Sequence, residues 1–336
     1  RLHCELYNAC IEQRRRAWAK GKSLGYYDQQ NELPALKAEM PEYIPLGSHA
    51  LQETVRRVDR AFRAFYRRVK RGDKPGFPRY KSRKSFVGFC YPDPAGWKFE
   101  RGANGKHGVL HLFNLGAIKA RGKPRQWGKP RQVVLTRTSH GWYATITIRC
   151  QPVRASGNEA VGIDLGVEAV ATLSDGTRVE NPRFLKQASN RLNSLQRKLA
   201  RQKRFSNRWK CTKKVIGNLH RKVANRRNDF QHKLTSGWVS RYGLIATEEL
   251  RVKNMTVKGG SRKAGLNRAI LDVGMRGILQ KLAYKAEEAG TRLVEVPTPK
   301  VKPSQSCPIC LRQEKKPLAQ RVHRCPCGCE MPRDQA

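Results

Sequence analysis

Three acidic residues and a knot of cysteines carry the chemistry that this sequence could perform. The cysteines crowd into the stretch from Cys307 to Asp334, CPICLRQEKKPLAQRVHRCPCGCEMPRD. Thiolates paired at short spacing and separated by a polar loop are how a tetrahedral zinc site is assembled where a chain cannot otherwise bury a core. Cys307 and Cys310 form one Cys-x-x-Cys pair. The second pair is drawn from Cys325, Cys327 and Cys329, and a reading in which no metal binds stays open. Such a knuckle would hold Asp334 still. Asp164, between Ile163 and Leu165 in an apolar run, and Glu248, at the end of another, are expected to be buried strand-end carboxylates, costly unless paired or metal-bound. One such residue alone is more often a cap or an ion-pair partner. Together, inside the most basic part of the chain, they make an acidic hole in a positive field, suited to Mg2+ with its hard oxygen ligands. Two such ions about 4 Å apart can activate water and stabilise the leaving oxygen in phosphodiester cleavage.

The rest of the composition fits such a substrate. The 336 residues carry 69 Lys and Arg against 26 Asp and Glu, a net charge of +43, while 38% hydrophobic content is enough for packed cores. A surplus that large, spread over the whole length, repels itself unless a polyanion neutralises it, so a long nucleic acid is the expected partner and a membrane surface the competing one. No apolar run approaches the ~18 residues needed to cross a bilayer. No cleavable signal precedes the first helix, although a chain that begins at Arg1 leaves an earlier segment open. Of ten cysteines, half lie between Cys307 and Cys329, and Cys4, Cys10, Cys90, Cys150 and Cys211 are scattered singly. That distribution predicts a reducing cytoplasm with one metal site.

The elements that must position these residues follow from periodicity. Residues 1 to 71 read helical. From Ser48, an expected N-cap, Leu51, Val55, Val58, Phe62, Phe65 and Val69 form one apolar stripe. Arg56, Arg57, Arg60, Arg63, Arg67 and Arg68 occupy the other face, and without acidic partners at i,i+4 they are expected to face phosphate rather than solvent. The loop GDKPGFPRYKSRKSF mixes cations with Phe77, Tyr80 and Phe86, which suits either a nucleic-acid strand or the anchoring of the loop to a core. Short alternating runs from Phe86 to Cys150 predict an antiparallel, barrel-like domain. After SGNEA, the segment AVGIDLGVEAVATLSDGTRVENP reads strand, turn, strand, turn, strand, with Asp175-Gly176 a hairpin signal. Two helices are expected at about 184–204 and 208–238. Between Arg183 and Lys233 the only acidic residue is Asp229, so this hairpin needs a polyanion alongside. LIATEEL predicts a buried strand, Asn267 to Ala289 a single amphipathic helix through Leu271, Met275, Ile278 and Leu282 stopped by Gly290, and TRLVEV a further strand, which together indicate an α/β sheet.

This ordered series of motifs resembles TnpB, the transposon-encoded RNA-guided nuclease family ancestral to the type V CRISPR effectors. The resemblance rests on GIDLGV, the basic insertion with QRKLARQ and HKL at 232–234, ATEELRVKNM, KAEEAG and CPIC…RCPCG….RD, and extends to RGDKPGFPRYKSR and RQKRFSNRWK, running from Tyr7 to the end. It implies a multidomain α+β protein: a helical recognition domain (1–83), a β-barrel wedge domain (84–156), and a RuvC (RNase H-like) nuclease domain (157–298) with the basic helical insertion 183–238. A zinc-finger insertion (299–331) would precede the start of the last RuvC segment (332–336). It implies that Asp164, Glu248 and Asp334 hold Mg2+, that Glu249 points to the other side of its strand, and that Cys307, Cys310, Cys325 and Cys327 hold Zn2+. The last pair is chosen because Cys327 precedes Gly328 in register with Arg333 and Asp334; a pair of Cys325 and Cys329 is the alternative. Pro332 departs from the family pattern, and the family continues with a helix after Asp334, so a longer natural chain is expected.

The implied activity is RNA-guided cleavage of double-stranded DNA beside a short transposon-adjacent motif, with a noncoding omega RNA as guide, in the cytoplasm or nucleoid of a prokaryote. No membrane or small-molecule substrate is expected. The nucleic acid would be met by Arg56, Arg60, Arg63, Arg67, Arg79, Tyr80 and Lys81 at the N-terminal end, and by Arg197, Arg201, Lys203, Arg204 and Arg208 in the insertion. A compact type V CRISPR effector and a guided DNA-binding repressor that does not cut are the alternatives.

Overall fold

Apolar residues spaced three and four apart wind the N-terminal segments into helices that bury one stripe each. The computed structural model describes residues 1–103, 105–122, 128–138, 140–151, 153–297, 305–314 and 322–332, so Asp334 lies outside the described residues. The chain forms two compact units, Arg1–Gln151 and Pro152–Ala336. The first begins with α1 (Leu2–Ala19), α2 (Tyr26–Asn31), α3 (Leu33–Glu39), a 3-10 turn at Pro41–Leu46, and α4 (Ser48–Lys70). Leu51, Val55, Val58 and Phe62 of α4 pack on Leu6, Tyr7, Cys10 and Ile11 of α1. The stripe closes only part of the helix: Phe65 is half-buried and Val69 is half-exposed. The N-cap is Gly47, with φ +72°, and not Ser48, which is the first helical residue and accepts a hydrogen bond from Lys37 Nζ at 2.7 Å. Glycine meets the positive φ at this corner at no steric cost, and that places the cap one residue earlier.

Strands β1 (Gly88–Tyr91), β2 (Trp97–Arg101), β3 (Gly108–Leu112), β4 (Gly116–Ala120), β5 (Lys129–Thr138) and β6 (Gly141–Arg149) are all antiparallel, as expected. Among the described residues they form two three-stranded sheets, β1-β5-β6 and β2-β3-β4, rather than one continuously bonded barrel. Tyr91, Trp97, Leu110, Leu112, Val133 and Leu135 make a shared core that also takes Ala50 from α4. Helices and strands are tied together within this unit. The Arg57 guanidinium donates to the Gly88 carbonyl at 2.6 Å and lies 4.5 Å over the Phe86 ring, and His3 stacks on Phe89.

The second unit contains β7 (Glu159–Asp164), β8 (Ala169–Leu173), β9 (Arg178–Glu180), α5 (Phe184–Ala200), α6 (Asn207–Arg241), β10 (Tyr242–Glu248), α7 (Val252–Met255), α8 (Ser261–Val273), α9 (Met275–Ala289), β11 (Arg292–Val296), β12 (Val322–Arg324) and β13 (Glu330–Pro332). The main sheet runs β11-β10-β7-β8-β9. β10 pairs parallel to β7 and β11, while β7, β8 and β9 pair antiparallel through short turns, one of them Asp175-Gly176 with Gly176 at φ +85°. All five residues of β8 are buried. The parallel pairs need long crossovers, and the helices supply them.

Two helical expectations change. The helix expected over 267–289 is two helices broken at Gly274, which is left-handed at φ +69°. Ile270 and Val273 enter the core, and Leu271 is exposed. Carbonyls freed at such a break need donors, and Gln231 of α6 donates to Val273 O at 3.0 Å and Gly274 O at 3.2 Å. The basic hairpin turns earlier than expected, at Arg201–Ser206. Ser206 Oγ caps α6 by accepting from Trp209 N, and α6 then runs unbroken to Arg241. A Cβ at Gly274 would stand 2.9 Å from Gln231 Nε2. We therefore expect Gly274→Ala to cost about 1–2 kcal/mol, the penalty of an L side chain in the left-handed region, read as a lowered midpoint in a thermal melt. An unchanged midpoint would mean that the break does not hold this conformation.

Candidate metal centres

β7 and β10 end together. Their parallel register pairs Ile163 with Thr247, so Asp164 and Glu248, the next residue on each strand, leave the sheet at equivalent positions. Glu248 is half-buried; Asp164 is exposed, contrary to the expectation that both are buried. A strand's last residue lies where the packing above the sheet ends, and apolar neighbours in sequence do not reveal that. Burial pushes the Glu248 carboxyl above its ordinary value, and the charge of Asp164 pushes it further. A glutamate whose charge is disfavoured both by burial and by a neighbouring carboxylate is the electrostatic condition under which a hard cation binds. Glu249 is not part of it: its carboxylate accepts from Arg251 Nε at 3.2 Å.

In the knuckle, Cys307 Sγ lies 3.6 Å from Cys327 Sγ, and Cys310 Sγ lies 3.5 Å from Cys325 Sγ. All four sulfurs fall within 4.8 Å of one another. Metal–sulfur bonds of about 2.3 Å directed to the corners of a tetrahedron separate the sulfurs by about 3.8 Å, so these thiols fit an ion such as zinc. Tight backbone turns hold them. Leu311 N donates to Cys307 O, Cys307 N to Arg312 O, and Gly328 N, in a residue at φ +87°, to Cys325 O. Cys329 stands outside the four-sulfur group, buried with Cys307 and His323. The backbone amides of Cys310 and Ile309, with His323 and Cys327, bring the Cys307 thiol down to about 5. Cys327 has a backbone hydrogen bond from Cys329 favouring its thiolate, but desolvation and the neighbouring Cys325, Cys307 and Cys310 thiols carry it up to about 12. The Cys307 thiolate forms readily while Cys327 resists, which is what crowded sulfurs do until a cation joins them.

The cations expected to meet nucleic acid are placed unevenly. Arg63 pairs with Asp59 at 2.6 Å across one turn, and Arg60 and Arg56 reach Glu53 at 2.5 and 3.9 Å. The expected lack of acidic partners on α4 is thus corrected: Glu53 and Asp59 sit buried on the inner flank and draw the arginines onto the helix. Arg67 and Arg79 are exposed. Tyr80 donates to Glu12, and Lys81 lies 4.7 Å over the Tyr7 ring. Phe77 packs edge-on against Phe62 and Phe65, so the aromatics of this loop anchor it. Arg197, Arg201, Lys203, Arg204 and Arg208 are all exposed. At the turn beside them the structure adds Phe205, 65% exposed under the Arg204 guanidinium, and Trp209 under Lys213. The aromatics in RFSNRWK were the signal for this pair.

Two outcomes follow. Metal analysis of the purified full chain should find one zinc held by the knuckle and lost in Cys310→Ser; retention in that variant would remove the four-cysteine set. For Glu248 the sign follows from its raised pKa: folding favours the protonated carboxyl, so stability is lost as pH rises through that value. In chelator, Glu248→Gln should therefore melt above the wild type at pH 7, and the gap should close below the ordinary glutamate value of about 4.3. A gap independent of pH would refute the coupling.

Comparison with known proteins places these centres in a family. The family described as "Probable transposase" (OrfB_IS605) matches residues 143–258, which contain both carboxylates, and that described as "Cas12f1-like, TNB domain" matches residues 276–336, which contain the knuckle. The "Putative RNA-guided DNA endonuclease InsQ" of Escherichia coli (strain K12) is 33% identical over 292 residues, 83% of this chain and 69% of that protein. The "Putative RNA-guided DNA endonuclease" of Streptomyces pristinaespiralis is 29% identical, over 98% of this chain and 80% of that protein. A cryo-EM structure of a CRISPR-Cas12f ternary complex aligns over 99% of this chain and 78% of its own at 12% identity, with a TM-score of 0.37, too low to argue from. The identity to InsQ over most of both chains, with two family matches falling on the two centres, shows that the chain belongs to the TnpB family.

Proposed function

We propose that this protein is a transposon-encoded RNA-guided DNA endonuclease. The observation that carries the reading is the meeting of Asp164 and Glu248 at the ends of adjacent parallel strands, where burial and the Asp164 charge both raise the Glu248 carboxyl. The strand order, three antiparallel strands continued by two parallel ones, supports a RuvC (RNase H-like) nuclease domain over 157–298 with its insertion at 183–238. The names of the curated relatives support guide RNA and double-stranded DNA as partners. The recognition, wedge and zinc-finger domains are proposed at 1–83, 84–156 and 299–331, with 332–336 opening the last RuvC segment.

Asp164 and Glu248, with Asp334 outside the described residues, would hold Mg2+. Bound Mg2+ supplies an activated water and neutralises charge on the leaving oxygen. The chain's own part is to fix two carboxylates at one sheet edge, keep Glu248 half-buried so that a cation is favoured over solvent, and hold nucleic acid on exposed arginines and lysines. Zn2+ at Cys307, Cys310, Cys325 and Cys327 would brace the segment that leads to Asp334. Hydrolysis in this manner leaves 3′-hydroxyl and 5′-phosphate ends. Sequence choice would belong to base pairing with an omega RNA, and the protein would read backbone shape and the adjacent motif. Among the described residues no helix is long and apolar enough to cross a membrane.

The test is to purify the protein with its copurifying RNA, sequence that RNA, and present a plasmid bearing the matching target beside a randomised flank. Mg2+-dependent cutting at one selected flank is expected. It should fall by at least about a hundredfold in Asp164→Ala, the scale on which loss of one group stabilising developing charge is felt. RNA-directed binding without cutting would support the repressor instead, and absence of copurifying RNA would end the guided reading.

A further inference from the structure

The second unit holds a cavity of about 850 Å³ whose lining begins at Val167, three residues after Asp164. One face of α5 and one face of α8 flank it, and the loop leaving Asp164 closes one end through Val167, whose carbonyl accepts from Asn181 Nδ2 at 2.6 Å. Its chemistry sorts into three kinds. Val167, Leu185, Leu192 and Ala269 give it an apolar floor. Asn193 and Gln196 bring side-chain amides that both donate and accept, while the Asn181 amide is spent on Val167 O and Arg183 N. Arg183, Lys186 and Arg268 bring positive charge, and among the described residues none of the three is in an ion pair.

The two acids that line it are already engaged. Glu168 pairs with Arg178 at 3.2 Å, and Asp272 accepts from Arg227 at 2.5 Å and from the Leu185 amide. Arg183 is also held at φ +48°, a left-handed conformation that a residue with a side chain adopts at a cost and that concentrates at functional positions. An apolar face, an amide-lined edge and unpaired cations are the three surfaces that complement a nucleotide: base plane, base edge and phosphate. A small apolar ligand would leave the cations unused, and a base inside a duplex could not present its face.

We infer that this cavity takes one unstacked nucleotide of the DNA strand being cut and so sets which phosphodiester meets Asp164 and Glu248. The inference rests on the nuclease reading for its consequence but not for the binding itself. Gly265 of α8 lines the cavity, and a Cβ there meets nothing within 4 Å, so Gly265→Leu fills the space without a backbone clash.

The experiment uses the full chain with its copurified RNA. Gly265→Leu should keep the wild-type melting midpoint, RNA content and RNA-directed target binding, yet cut at least about tenfold more slowly and at displaced or scattered positions. In parallel, a single-stranded oligonucleotide carrying 4-thiothymidine is photo-crosslinked to the wild type. The crosslink should map to peptides of α5 or α8 and weaken in both Gly265→Leu and Lys186→Ala. Wild-type rate and cut positions in Gly265→Leu, with crosslinks elsewhere, would overturn the cavity. Absence of cutting by the wild type, with crosslinks still in α5 or α8, would overturn the nuclease reading and leave nucleotide binding standing.

Discussion

The parallel pairing of β7 with β10 is the contact on which the second unit depends. A hairpin cannot make it, because parallel neighbours need a crossover, and here the crossover carries the whole basic helical pair. Everything that fixes the register of β10 therefore fixes the distance between Asp164 and Glu248. The strongest fastening is Lys285 of α9. Its side chain is fully buried, and its ammonium donates to His232 O at 2.6 Å, Thr235 Oγ1 at 2.7 Å and Ser236 Oγ at 2.9 Å on the last turns of α6. Burying an ammonium costs several kcal/mol unless its donors are satisfied. Three acceptors at these distances satisfy them, and only one placement of α9 on α6 supplies all three. Gln231 and Asp272 repeat the device further along α6.

Much of this was legible in the residues. Alternation and the Asp-Gly turn located β7, β8 and β9, and the apolar run before Glu248 located β10, because strands buried on both faces leave unbroken apolar runs. The cysteine spacing located a knuckle, since nothing else in a basic polar segment explains five thiols. Other features were hidden because they depend on partners distant in sequence. The break at Gly274 needs Gln231, forty-three residues earlier, to accept its geometry. The exposure of Asp164 depends on where packing over the sheet stops. The ion pairs on α4 were missed because Glu53 and Asp59 lie on the buried flank, so the helix appeared to carry arginines with nothing opposite them. The cavity between α5 and α8 has no sequence signature, because its lining comes from two helix faces, a loop and a crossing helix.

The charge of the molecule is thus of two kinds. In the first unit, several arginines are spent internally: Arg14 on Asp59, Arg57 on a backbone carbonyl, Arg83 on Glu5. In the hairpin of the second unit the ion pairs sit on the half of α6 nearest β10, at Arg227, Lys233 and Arg241, while the cations about the turn, Arg197, Arg201, Lys203, Arg204 and Arg208, are exposed. The field around the turn is therefore strong, and the same unit carries the carboxylate pair Asp164 and Glu248. A polyanion is drawn in by the first feature, and a cation is retained by the second.

One further consequence belongs to α6. A helix of 35 residues extends about 50 Å, and it passes into β10 at Tyr242 with no intervening loop. Loops absorb displacement; a helix joined directly to a strand transmits it. The turn at Arg201–Ser206, with its exposed Phe205, is the far end of a rigid arm whose near end is the strand that carries Glu248. Lys285, gripping that arm close to its base, acts as the fulcrum. Force applied at the tip would reach the carboxylates as torque on β10, so the helical pair is mechanically part of the site even though its turn is distant from Glu248 along the chain.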